Sequence, residues 1–158
     1  MKTNNEILTP AQRWIGPLAT IVCMLVLLGF FAAHQSAHTG FLTAKFGTLE
    51  TLALYLPILF SFAAPLARAM SGRHNPARPF EAAMNISLAI GSLWLVIVFP
   101  FDFAHLTDVL PGAIRFILGW ITNDIGRGVL ILQVILGVIV APLTIFTFFS
   151  VSRRVSTT

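Results

Sequence analysis

The sequence predicts an all-α fold: an integral membrane four-helix bundle with an additional short amphipathic interfacial helix between the third and fourth spans. Three observations predict it. The 158 residues are 56% hydrophobic and only 10% charged, against about 25% charged in ordinary soluble domains. Mean hydropathy is +0.86, more apolar surface than a single soluble domain could hide. The apolar residues also fall into four long runs, the first two gaps between them short and polar and the third longer and mixed.

A helix needs ~20 mostly apolar residues to cross a bilayer, and four windows meet that length. They run from Trp14 to Ala33, Leu49 to Ala67, Phe80 to Phe101 and Ile125 to Phe149. The first connection contains HQSAHTG, and the second contains SGRHNPARP, dense in Pro, Gly and basic residues. A cleaved leader is the rival reading of the first run. That run exceeds the 7–15 apolar residues of a leader core, so a span is expected.

Four spans put both termini and the middle loop on one side. That side holds Lys2, Arg13, Arg68, Arg73, Arg78, Arg153 and Arg154. The other holds Lys45, Arg115 and Arg127. Lys and Arg concentrate on the cytoplasmic side of membrane proteins. Cytoplasmic termini in the cell membrane are therefore expected.

The third connection, FPFDFAHLTDVLPGAIRFILGWITNDIGRG, mixes charge with large apolar residues. Asp108, Gly112, Arg115, Gly119 and Thr122 recur at helical spacing, and Phe116, Ile117 and Trp120 fall on the opposite side. The stretch 107–122 is too short for an upright span. Its pattern predicts a helix lying in the outer interface, with Thr107 or Asp108 as cap and a polar stripe carrying Asp108 and Arg115. A re-entrant element is the alternative. Asn123 or Asp124 is expected to cap the last span, with Asp124 and Arg127 paired.

Helices in lipid associate through small residues and occasional polar contacts. Asn85 and Ser92 lie on one face of the third span, Gln133 and Thr144 on one face of the fourth. In an antiparallel pair, a rise of about 1.5 Å per residue puts Ser92 level with Gln133 and Asn85 level with Thr144. These faces are expected to meet. Pro57, Pro65 and Pro142 each remove a backbone donor inside a span, and helix packing is the expected use of such kinks.

Chemistry has few candidates. Ionisable groups deep in a membrane mark function, and the mid-span polar residues here are neutral. On the outer side His34 and His38 are four apart, and Asp102 and His105 three apart. Together they form a candidate metal site of the imidazole-carboxylate type. The alternative is that they merely hydrate helix ends. The single cysteine, Cys23, excludes a disulfide framework within the chain. No Gly-rich phosphate loop or nucleophile elbow is present. No basic stripe with interleaved aromatics is present either, so nucleic acid is not an expected partner. The cofactor is unknown from these residues.

The expected role is that of a small, non-catalytic accessory or assembly subunit of a membrane complex. Its expected partners are membrane lipids and a membrane-protein partner or further copies of the chain. The rivals are an oligomeric small transporter or channel, and a membrane enzyme or redox protein with a metal on the outer side.

Overall fold

The computed structural model describes residues 6–155. It is all-helical, with four helices long and apolar enough to cross a membrane: α1 (Pro10–Ala37), α2 (Thr48–Ser71), α3 (Arg78–Val98) and α4 (Asn123–Val155).

Each helix end has a local cause. Thr9 and Gln12 form a capping box at α1, with Gln12 N donating to Thr9 Oγ1 and Thr9 N donating to Gln12 Oε1. Pro10 sits in the first turn, where its missing N–H costs nothing. At α2, Glu50 reaches back to accept from Gly47 N at 2.9 Å. Gly72 ends α2 at φ 64°, a left-handed conformation that carries no Cβ penalty in glycine. The helices continue through Pro17, Pro57, Pro65 and Pro142.

The third span stops short of expectation. Phe99 takes a left-handed conformation at φ 42°, and α3 ends at Val98. Pro100 follows, and proline disfavours the α region in the residue before it. Phe99 to Phe101 therefore belong to a loop. The first span instead runs longer, because HQSA stays helical to Ala37.

The helices pack in a sequential array. α3 lies between α2 and α4 and packs along both, while α1 packs along α2. Of the spanning stretches, 33% of α2 is buried but only 6% of α1. Two seams are tight. A Cβ added at Gly91 of α3 would stand 2.4 Å from the Ala53 carbonyl oxygen of α2. One added at Gly137 of α4 would stand 2.6 Å from the Asn85 carbonyl oxygen of α3. Small residues let these backbones approach as membrane helices favour.

The interfacial α-helix over 107–122 is not found. Turns lead into a six-residue 3-10 segment, Gly112–Ile117. Pro111 is extended, with ψ 142°, and lacks an N–H. Its carbonyl starts the segment by accepting from Ile114 N. The polar stripe is consumed locally. Arg115 Nε donates to the Leu110 carbonyl at 3.0 Å, and the Asp108 carboxylate turns to His105. Local side-chain bonds of this kind offer the backbone an alternative to helix.

Candidate functional site

The end of the molecule formed by the 38–47 and 99–122 loops carries the four candidate ligands His34, His38, Asp102 and His105. Two loops distant in sequence are laced by backbone. Thr43 N donates to the Pro100 carbonyl at 3.0 Å, and Asp102 N to the Phe41 carbonyl at 2.8 Å. This lacing clamps a plug of Phe41, Leu95, Phe101 and Leu106, all buried. Phe41 is 5.4 Å, centroid to centroid, from both Phe101 and Phe103, edge-on to the latter. Aromatic pairs at such separations add about 0.5–1.5 kcal/mol each beyond area burial. The Arg127 guanidinium lies 4.3 Å from the Phe99 ring centre and covers the plug from α4. It does so in place of the expected pairing with Asp124.

His34 projects from the last turns of α1 into this plug and is 1% exposed. Both its ring nitrogens are engaged. Nε2 lies 3.0 Å from the Leu106 carbonyl, and Nδ1 lies 2.6 Å from Thr39 Oγ1. A carbonyl only accepts, so Nε2 carries a proton. In the neutral ring, Nδ1 then accepts from the Thr39 hydroxyl. A metal would have to displace one of these bonds.

The other three candidate ligands point elsewhere. His38 is the left-handed C-cap of α1 and is exposed. Asp102 caps the 3-10 turn Phe103–His105 by accepting from Ala104 N. The His105 Nδ1 pairs with Asp108 Oδ2 at 2.8 Å, and its ring packs against Gly40. Among the described residues, no three His, Cys, Asp or Glu side chains are grouped to share a metal ion.

Asn123 joins α4 to this end differently from expectation. Its Oδ1 accepts from Phe103 N at 2.8 Å, and the Thr122 hydroxyl and carbonyl receive the first N–H groups of α4. Thr122 is thus the cap.

Within the spans, Ser92 Oγ donates to Gln133 Oε1 at 2.8 Å across the α3–α4 seam. Asn85 and Thr144 bond instead to carbonyls of their own helices, Glu81 and Val140. One bond that pattern reading missed joins α2 and α3: Trp94 Nε1 donates to Glu50 Oε1 at 2.9 Å. The residues are too far apart in sequence for helical spacing to link them. The signal was a carboxylate just inside a span, which needs a donor.

At the opposite end, ion pairs join Arg68 to Glu81 and Arg78 to Glu6. Arg13 Nε donates to the Ala69 carbonyl, and Leu8 N to the Gly72 carbonyl. Arg78 thus fastens the chain before α1 to the α2–α3 turn, Arg13 holds α1 to the end of α2, and Arg68 ties α2 to α3. Lys2 lies outside the described residues.

No protein-family model matches this chain, and no curated protein or solved structure matches it.

Proposed function

We propose that this chain is a multi-pass protein of the cell membrane, with both termini cytoplasmic, that acts as a non-catalytic accessory or assembly subunit of a membrane complex. The observation that carries this reading is the apolar surface at 112–120. Phe116 is 77% exposed and Trp120 65%, with Ile114 and Ile117 beside them. Their neighbouring polar groups are satisfied from within, since Trp120 Nε1 donates to the Ile117 carbonyl at 2.8 Å and Arg115 folds back on Leu110. Such a surface can be covered without stranding a donor, which favours an apolar contact with a partner. It stands on a stiff base, because Leu118 and Ile121 pack against the aromatic plug.

The seven-to-three division of Lys and Arg between the two ends supports the orientation. The test is mild purification from the native membrane, with protein partners, metal content and visible absorption recorded on one sample. A stoichiometric protein partner, lost in a Phe116→Ser, Trp120→Ser double variant, is the expected result. A stoichiometric metal or chromophore without a protein partner would overturn the reading.

A further inference from the structure

The α2–α3 pair carries a long groove on its outer surface, of about 640 Å³. Leu52, Leu56 and Phe60 form one wall, four residues apart along α2. Ile86, Ile90 and Trp94 form the other at the same spacing along α3. The floor lies where the backbones touch, at Ala53 and Gly91. Depth and shape therefore follow from one fact: large side chains flank a contact made by small ones.

We infer that this groove binds one acyl tail of a membrane lipid from the leaflet at the 99–122 end. Three observations select that occupant. The first is length. Leu49 to Phe60 is eleven helical steps, about 16 Å at 1.5 Å per residue, and half the ~30 Å hydrocarbon core of a bilayer. The groove thus runs from the membrane boundary to mid-depth, the reach of a tail from one leaflet. The second is charge. Among the lining residues Ser87 has the one hydroxyl, and it donates to the Met84 carbonyl of its own helix. At the rim the Glu50 carboxylate is already taken by Trp94 Nε1 and Gly47 N. Nothing in the groove calls for a charged or hydrogen-bonding occupant. The third is continuity. The groove opens onto the apolar faces of helices built to cross a membrane, with Leu52 and Ile90 both more than half exposed. A tail can enter sideways without leaving hydrocarbon. This inference is independent of the accessory role and rests only on the spanning helices.

The test reconstitutes the full chain in nanodiscs with a photoactivatable tail and maps the adducts by peptide mass spectrometry. One arm uses a phospholipid with a diazirine-bearing acyl chain, and the other an isoprenoid alcohol with a diazirine in its tail. In the phospholipid arm, groove residues should label about tenfold more densely than the lipid-facing residues Leu18, Val22 and Val26 of α1, a ratio equivalent to about 1.4 kcal/mol of preference. Enrichment in the isoprenoid arm alone would overturn the proposal. Ser87→Phe, which fills the groove from within, should bring groove labelling down to the α1 level and leave α1 labelling unchanged. Equal labelling of the groove and α1 in the phospholipid arm would overturn the proposal as well. That comparison needs only the unaltered protein, so it holds even if Ser87→Phe fails to fold. Groove labelling that survives in a folded Ser87→Phe variant would overturn it too.

Discussion

Gly137 of α4 sits against Ala89 of α3 so closely that a Cβ added at Gly137 would stand 2.8 Å from the Ala89 Cβ. The Asn85 carbonyl oxygen is closer still, at 2.6 Å. The backbones therefore touch at this point, and a larger residue can enter only by parting the helices. Gly137→Val should destabilise the protein by about 1–3 kcal/mol, the usual range for overpacking. Thermal unfolding in detergent reads the loss. Gly128→Val, on the same helix with open space around the added Cβ, should cost far less. Equal effects at the two positions would contradict the seam.

Just under four turns into α3, the Ser92 hydroxyl crosses to Gln133 of α4. Interhelical hydrogen bonds in membranes average about 0.6 kcal/mol. Ser92→Ala and Gln133→Leu should each destabilise modestly. Their double variant should show a coupling of about that size in a double-mutant cycle. A coupling of zero would mean that the bond adds nothing beyond helix packing.

His34 holds the aromatic plug through one bond at each ring nitrogen. His34→Ala removes a fully buried ring and leaves the Leu106 carbonyl without its donor. The expected cost is about 3 kcal/mol, combining lost burial with a stranded acceptor. His34→Gln, whose amide N–H₂ can stand where Nε2 stood, should recover part of that loss. Melting temperatures of the three proteins in one detergent give the order: unaltered protein, His34→Gln, His34→Ala.

Orientation is testable with single cysteines in a Cys23→Ser background. Positions 73 and 112 lie at opposite ends of the spanning helices and neither is buried. A membrane-impermeant maleimide added to intact cells should label Gly112→Cys and spare Arg73→Cys until the membrane is opened. The reverse pattern would place the termini outside.

The four spans were legible because their signal is additive. A run of twenty apolar residues announces itself whatever its neighbours do; Pro100 ended α3 early, at Val98, while α1, α2 and α4 ran on to Ala37, Ser71 and Val155. The 107–122 segment was not legible in the same way. Its helical spacing of polar residues is real, but Pro111 cannot extend a helix backward and Arg115 caps carbonyls locally. Spacing records which side chains could share a face. It does not record whether the backbone between them prefers 3-10 turns.

The candidate ligands divide along the same line. His34, His38, Asp102 and His105 are close in depth, as the ends of α1 and α3 require, yet proximity in depth left direction open. His34 turned inward because Thr39 and Leu106 meet both its nitrogens, and His105 turned to Asp108. Burial of an imidazole is settled by the partners that fold around it.

By itself, then, the chain determined its solvent and its four helices, because hydrophobicity and length act residue by residue and need no partner. Only the tertiary structure decided that Glu50 would bond Trp94, that two loops would lace over a plug of phenylalanines, and that α2 and α3 would flank a groove. Those features depend on the angle and closeness at which helices meet. Closeness was set where Gly91 and Gly137 let backbone reach backbone, a relation between distant residues that no local pattern contains.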